Sequence, residues 1–263
     1  MPLLQQVLYH LPAWALCVAI LAVYNGAAIA AVRLVRRFYT HEMCRKHNDV
    51  GGFIFATVGV IYGVLLGFAV FNTWLNFDKA QDVAGNEAKG IASLYRHTEP
   101  FPAEVRERVR LQLADYARAI VDDEWPRMAT GGASPAVSDA RTRLWSTFAA
   151  IAPASKTQEV FLNDAVQKLN LVGELREQRL FFAASGIHPV LYFAIGTGGL
   201  ITIAFCALFG TENARAHLVM MALLASMIAI TIFIIVIMDY PFTGDIIIHP
   251  DAFTEAVEAL QHP

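Results

Sequence analysis

The chain has 263 residues, of which 56% are hydrophobic and only 16% charged, and its net charge is −3. Because soluble domains are about 45–50% apolar and about 25% charged, this composition excludes a soluble globular enzyme, a disordered chain and a basic nucleic-acid-binding protein. Three scattered cysteines exclude a disulfide scaffold. All 20 basic and 23 acidic residues lie outside four stretches, 1–32, 50–77, 180–211 and 216–238. The composition therefore predicts a polytopic membrane protein with a water-exposed insert.

Four apolar runs within these stretches have the roughly 20 residues that a helix needs to cross a bilayer core of about 30 Å. They cover 12–32, 50–75, 189–209 and 217–238. A basic loop joins the first two runs, and the short turn TENARA joins the last two. The first run lacks a basic segment before it and is long enough to span, so we expect a retained helix and no cleavable signal peptide.

The fold class that follows is an all-α integral membrane protein with four transmembrane helices in two hairpins. We expect an N-terminal transmembrane hairpin over 1–75, an extramembrane helical domain over 76–187, and a C-terminal hairpin with a short tail over 188–263. The insert shows apolar residues at three- and four-residue spacing without strand-like alternation, which predicts an all-helical bundle. Its acidic run Asp122-Asp123-Glu124 is interpreted as a solvated helix end, in preference to a calcium site.

Basic residues close to the spans indicate an orientation. The loop between the first two runs carries Arg33, Arg36, Arg37, Arg45 and Lys46, whereas no basic residue precedes the first run. Because cytoplasmic loops are enriched in Lys and Arg, we place this loop in the cytoplasm and both termini and the insert on the outer side. We interpret the first three of these arginines as anchors for anionic lipid headgroups.

Glycines recur every four residues along the second run. Gly59, Gly63 and Gly67 lie on one stripe of the helix, which Gly52 joins. Small residues let helices approach closely in a membrane, so a packing ridge is favoured over a direct functional role. Gly198 in the third run is assigned the same packing role.

A different face of the second run combines apolar and polar side chains: Thr57, Ile61, Leu65, Phe68 and Asn72. In an oligomer whose second spans surround an axis, this face lines a pore, with an apolar constriction and polar residues toward its ends. The alternative is a lipid-facing stripe that tolerates one threonine. The sequence leaves both interpretations open.

Asp239 directly follows the fourth run, in the segment MDYPFTGD. A carboxylate at a membrane edge either belongs to an ion pathway or, as we favour, snorkels to the interface or caps the turn made by Pro241 and Gly244.

Signatures of metal and enzyme sites are weak or missing. His41, Cys44 and His47 lack a fourth partner, so we expect no metal ion and no other cofactor. The sequence contains no phosphate-binding glycine loop, no Gly-x-Ser-x-Gly and no Cys-x-x-Cys pair. We therefore expect a protein that is not an enzyme.

Three segments resemble the bestrophin-like membrane family of bacteria, formerly classed as a domain of unknown function. They are GVLLGFAVFNTWLNFDKAQDVAGNEAKGIASLYR, RLFFAASGIHPVLYFAIGTGGLITIAFCALFG and MDYPFTGDIIIHPDAF. The resemblance covers nearly the whole chain in the expected order. Its most specific residues are Glu87, Ala88, Leu94, Tyr95 and Arg96 in the first segment and Asp239, Pro241, Phe242 and Gly244 in the last.

The resemblance implies kinship with oligomeric anion channels, commonly pentameric, whose pore is lined by the second span. We accordingly expect a homo-oligomeric ion channel, with a pentamer as the leading assembly, in the cytoplasmic (inner) membrane of a bacterium. Its partners would be the lipid bilayer and small inorganic ions, without nucleic acid. The alternative is a non-conducting membrane scaffold or envelope sensor whose helical insert binds a partner.

Overall fold

The computed structural model describes residues 3–261, apart from the side chains of Leu3 and His41. Every regular element within that range is helical. Four helical stretches within that range are long and apolar enough to cross a membrane: Ala13–Phe38, Asn48–Arg96, Lys156–Ala207 and Ala214–Met238. The first, second and fourth are the helices α2, α4 and α10, and the third ends in the apolar helix α9 (Pro189–Ala207). The predicted all-helical membrane class with four spanning helices is confirmed, and the pairing of the spans into two hairpins stays a prediction.

The remaining helices are shorter or lie in the insert. They are α1 (Leu3–His10), α3 (His41–Lys46), α5 (Ala103–Ala119), α6 (Trp125–Met128), α7 (Pro135–Ala149), α8 (Lys156–Ala184) and α11 (Asp251–Gln261). A π-helical turn (Ile120–Glu124) joins α5 to α6.

The chain packs as two compact units. The membrane unit comprises Leu11–Leu75 and Gly186–Asp239. The helical unit comprises α1, Asn76–Ser185 and the segment from Tyr240 through α11. The domain boundaries at 1–75, 76–187 and 188–263 remain a prediction. In the structure, α1 and the C-terminal segment belong to the same compact unit as the insert.

The helical unit has its own apolar core. Its largest fully buried apolar side chains are Ile91, Leu94, Leu113, Tyr116, Ile120, Met128, Leu144, Phe148, Leu169 and Phe253. Side-chain caps fix two helix starts, because Ser134 Oγ accepts from Val137 N of α7 and Ser155 Oγ accepts from Gln158 N of α8.

Helix α11 was not expected from the sequence, which suggested only a short tail. Phe253, Ala256 and Leu260 repeat at three and four residues and are all buried. Asp251 lies in the first turn, where its carboxylate interacts favourably with the positive end of the helix dipole. An eleven-residue helix is marginal alone, and its apolar face is stabilised by packing against α5 in the same unit.

In the membrane unit, two tyrosines bind α9 through its backbone. Tyr24 Oη donates to the carbonyl of Gly196 at 3.1 Å, and Tyr62 Oη donates to that of Ile195 at 3.0 Å. Both rings are buried. A buried tyrosine hydroxyl needs an acceptor, so these two bonds help to fix the faces that α2 and α4 turn toward α9.

Gly198 allows this close approach. A Cβ atom at Gly198 would lie 2.7 Å from the Tyr62 ring, and one at Gly199 would lie 2.8 Å from Tyr24 Cε1 and from the Tyr62 hydroxyl. Both distances are too short for a carbon contact without movement of the helix or the ring.

We expect Gly198→Ala to destabilise the protein by about 1–3 kcal/mol, because the added methyl group overpacks a buried ring. Thermal unfolding of the detergent-purified protein measures the effect. Gly26→Ala is the matched control, since a Cβ at Gly26 meets no atom within 4 Å. Equal melting temperatures for the two variants would contradict the tight α4–α9 contact.

Candidate functional site

Within the membrane unit, α4 is buried on one side only. Tyr62, Ala69 and Thr73 lie on that side and are 7%, 1% and 1% exposed. At 3.6 residues per turn, Val60 and Val64 lie about 160° from Tyr62 in either direction, on the opposite side of the helix. The large exposed side chains around that opposite side form what we call the open face: Phe53, Val60, Val64, Phe68 and Phe71.

Of the predicted pore-lining residues, Phe68 belongs to the open face and Thr57 lies beside it, whereas Ile61, Leu65 and Asn72 lie between the open face and the buried side. Ile61 and Phe68 are 66% and 70% exposed, and Thr57 and Asn72 are exposed as well. Leu65 is only partly exposed, because it lies three residues from Tyr62 and therefore close to the buried side. The Thr57 hydroxyl donates to the Phe53 carbonyl at 3.3 Å within the same helix.

Val60 and Val64 were not among the predicted pore-lining residues, although both are exposed. The available signal was Tyr62. A tyrosine within an apolar span marks the side where an acceptor is present, and the two valines lie opposite to it. The structure therefore shifts the centre of the uncovered surface from Leu65 toward Val64.

Among the described residues, nothing packs closely against the glycine stripe of α4 (Gly52, Gly59, Gly63 and Gly67). A Cβ atom at any of these four positions would meet no atom within 4 Å. Gly63 and Gly67 line a groove of about 670 Å³, the glycine groove, together with Leu66, Val70, Phe71 and Trp74 of α4 and Thr231 of α10. A packing role for this stripe therefore requires a helix or lipid from outside the chain, in contrast to Gly198.

Asp239 ends the membrane unit and is 5% exposed. Its Oδ1 accepts from Ile187 N at 2.8 Å, and its Oδ2 accepts from the Tyr192 hydroxyl at 2.7 Å. Burial raises the pKa of this carboxyl, and the two hydrogen bonds oppose that shift. The carboxylate thus neither snorkels to the surface nor caps the turn at Pro241, because the backbone before α9 offers an otherwise free donor.

The other residues of the predicted membrane-edge motif lie in the helical unit. The Pro241 carbonyl accepts from Ile248 N at 2.8 Å. The Phe242 ring packs edge-on against Trp125 at 5.4 Å between centroids. Gly244 has φ +99°, a conformation that favours glycine. These three residues shape the segment that leads to α11.

The predicted lipid anchors are all on the surface of the membrane unit. The side chains of Arg33, Arg36 and Arg37 are exposed in the last turns of α2. Positive charge there interacts favourably with the negative end of the helix dipole. Arg36 lines a polar pocket that neither Arg33 nor Arg37 lines. Of the metal-like trio, Cys44 and His47 are described, whereas the side chain of His41 lies outside the described residues.

A buried ion-pair network (Glu87, Glu124, Arg176 and Arg179) lies in the core of the helical unit. Arg179 Nε donates to Glu87 Oε2 at 2.7 Å, and Arg179 Nη2 donates to Glu124 Oε1 at 2.9 Å. Arg176 Nε donates to Glu124 Oε1 at 3.0 Å. The side chains of Glu87, Glu124 and Arg179 are fully buried, so each charge depends on the others for compensation.

Further contacts surround this network. The Tyr116 hydroxyl donates to Glu87 Oε1 at 3.1 Å, and the Arg179 guanidinium lies 5.3 and 5.4 Å from the ring centroids of Trp125 and Phe253. Burial alone would raise the pKa of Glu124, but its hydrogen bond to Arg176 and the charges of both arginines hold that pKa below its ordinary value. The network connects α4, the π-helical turn and α8 through charged groups, and the Tyr116 hydroxyl joins α5 to it.

The interpretation of Asp122-Asp123-Glu124 as a solvated helix end is wrong for Glu124. Asp122 is exposed, but Glu124 is fully buried. The physical reason is its spacing, because Glu124 lies four residues after Ile120 and eight after Tyr116, which are both buried, and therefore lies on the inward side of this helical segment. The acidic composition of the run hid this spacing, since a buried carboxylate is rare unless it is paired.

Comparisons with known proteins agree with this architecture. A family model described as a Bestrophin-like domain matches residues 22–253. The crystal structure of a bacterial Bestrophin homolog from Klebsiella pneumoniae is 12% identical, with 92% of this chain and 96% of that chain covered and a TM-score of 0.68. A point variant of that homolog covers 93% of this chain and 98% of its own, at 12% identity and a TM-score of 0.67.

A crystal structure described as a variant of a membrane protein has a TM-score of 0.70 at 11% identity, covering 91% of this chain and 95% of that chain. At these identities the structures establish a shared fold. No curated protein matches the sequence. Because the family model matches most of the chain, and the chain has four helices able to span a membrane, this multi-pass membrane protein belongs to the Bestrophin-like family.

Proposed function

We propose that the protein is a homo-oligomeric ion channel that conducts small anions along its second transmembrane helices. The observation that carries the proposal is the open face of α4, a column of large side chains that no other helix in the described part of the chain covers. Family membership supports it, because the sequence resemblance associates bestrophin-like proteins with oligomeric anion channels.

The geometry of α4 favours a particular arrangement around an axis. Its buried side, marked by Tyr62, packs on α9 of the same chain and points away from the axis. The opposite side then points toward the axis, so Val60, Val64 and Phe68 form the apolar constriction. Thr57 and Asn72 place polar groups toward its two ends, about 22 Å apart along the helix. An apolar constriction of this kind gates by excluding water.

The glycine groove provides the contact between neighbouring copies. It is apolar, it shares Phe71 with the open face, and none of the described residues fills it. A ring of identical chains needs one surface of each copy to contact a different surface of the next. We propose that Gly63 and Gly67 admit the second span of the neighbouring chain, and that five copies close the ring.

Selectivity for anions has to arise without a charged ring in the span, because 50–77 contains no acidic or basic residue. A dry apolar passage penalises ions by the cost of removing their water. We therefore expect weakly hydrated anions such as iodide and nitrate to permeate more readily than chloride. The scaffold alternative gains less support, since the four buried charges of the ion-pair network are paired among themselves.

Reconstitution of the purified full-length protein into planar bilayers tests the proposal. We expect single-channel currents whose reversal potential, under a potassium chloride gradient, shifts toward the chloride equilibrium potential. Empty vesicles from the same preparation are the control. Reversal toward potassium would contradict anion conduction, and silent bilayers with chloride, nitrate, iodide and potassium would contradict a channel altogether and favour the scaffold.

A further inference from the structure

A polar pocket of about 230 Å³ lies in the membrane unit, where the end of α2 meets the turn between α9 and α10. Arg36 and Tyr39 line it from one side, and Thr211 and His217 line it from the other. Neither the family resemblance nor the proposed conduction path uses these residues. Their location suggests a ligand that approaches from the membrane surface.

Two buried groups in this pocket lack partners within the described part of the chain. His217 is 4% exposed, and neither of its ring nitrogens makes a hydrogen bond of acceptable geometry, although the Cys206 carbonyl lies nearby. The Thr211 hydroxyl is likewise buried and unpartnered. Buried polar atoms are nearly always hydrogen-bonded, because an unpaired one has lost its contacts with water without replacing them. A ligand with several polar atoms would satisfy both.

The walls of the polar pocket are fixed by the chain. Asn48 Nδ2 donates to the Gly210 carbonyl at 2.9 Å, and Gly210 N donates to Asn48 Oδ1 at 3.0 Å. This paired contact holds the α9–α10 turn against the start of α4. Gly210 lies so close to the backbone of Arg45 that a Cβ atom could not fit. The pocket is thus a built feature of the fold.

The charge of the pocket selects for an anion. Arg36 is close enough to His217 for its positive charge to act on the imidazole ring, and no carboxylate lines the pocket. No cluster of metal-binding side chains occurs among the residues that the structure describes. A guanidinium, an imidazole N–H and a hydroxyl together offer donors to the oxygens of a phosphate group.

An apolar groove of about 200 Å³ continues from the polar pocket, and the two share Cys44 and Phe209. Val50, Ile54 and Leu208 line the groove and are about half exposed or more. A polar pocket that opens into an apolar groove on a membrane-embedded unit matches a molecule with a charged head and a hydrocarbon tail.

We propose that the polar pocket binds the phosphate of an anionic glycerophospholipid, with an acyl chain along Val50, Ile54 and Leu208. The inference is independent of ion conduction. It assigns Arg36 a specific role that its neighbours Arg33 and Arg37 do not share, since neither of them lines the pocket.

Native mass spectrometry of the full-length protein with dioleoyl phosphatidylglycerol tests the proposal, and dioleoyl phosphatidylcholine is the zwitterionic comparison. We expect Arg36→Gln to weaken phosphatidylglycerol binding about tenfold, because it removes one charge-assisted hydrogen bond to the phosphate. Arg37→Gln is the matched control, with the same loss of charge one residue away, and should bind as the wild type does. His217→Phe, which keeps a ring of similar size without the nitrogens, should also weaken binding.

Three other results would contradict lipid binding at the polar pocket. Equal losses for Arg36→Gln and Arg37→Gln would show general attraction to a basic surface and overturn the pocket. Protection of the protein from thermal unfolding by inorganic phosphate as well as by phosphatidylglycerol would assign the site to a free anion and overturn the lipid. Equal retention of both lipids by the wild type would overturn the preference for anionic headgroups.

Discussion

Arg179→Met is expected to lower the free energy of unfolding by about 3–5 kcal/mol. This loss is larger than that expected from substituting an arginine of a surface ion pair. The guanidinium of Arg179 compensates the carboxylates of Glu87 and Glu124, and all three side chains are fully buried. Removing one partner of a buried ion pair leaves an uncompensated charge in a medium that solvates it poorly. Methionine retains much of the volume of arginine, so the loss reports on charge compensation more than on a cavity.

Thermal and denaturant unfolding of the detergent-purified protein, followed by circular dichroism, measures this effect. Arg118→Met is the matched control, because Arg118 pairs with Asp115 at the surface of α5, where an ion pair is worth about 0–1 kcal/mol. Adding Glu87→Gln to Arg179→Met should recover part of the lost stability, since it removes one orphaned charge. Equal stability of the two methionine variants would show that the network does not hold the helical unit together.

The membrane class could be predicted because it depends on composition averaged over some 20 residues. The spans at 12–32 and 217–238 correspond closely to α2 and α10. The helices of the insert were similarly visible in their three-four periodicity. What escaped prediction depends on tertiary packing. Glu124 is buried because Arg176 and Arg179 of α8 compensate its charge, and α11 is stabilised by its contact with α5.

The candidate site shows the same division. An uncovered face on the second span could be expected from its mixture of Thr57, Ile61 and Phe68. The centre of that face could not, because it depends on which side Tyr62 turns toward α9 through its bond to Ile195. The buried pairing of Glu87 with Arg179, which are 92 residues apart, has no local sequence signature at all.

Val64→Ser is expected to raise the single-channel conductance about fivefold or more. Val64 lies opposite the buried side of α4 and is exposed, so in a ring it contributes one apolar wall from every copy. Serine offers hydrogen bonds to water and lowers the cost of wetting the constriction. A fall of only about 1 kcal/mol in the barrier raises the rate of passage about fivefold. Bilayer recordings under symmetric chloride measure the change.

Val23→Ser is the matched control for this experiment, because Val23 is an exposed valine of α2 and not of α4. It should leave the conductance unchanged while removing the same apolar group from the membrane unit. Ile61→Ser separates the two candidate faces of α4. A larger effect for Ile61→Ser than for Val64→Ser would show that the pore axis lies on the face of α4 that was predicted from the sequence. Unaltered conductance in both the Val64→Ser and the Ile61→Ser variants would show that the second span does not line the pore, because the conductance of a pore formed by α4 has to change when its wall becomes polar.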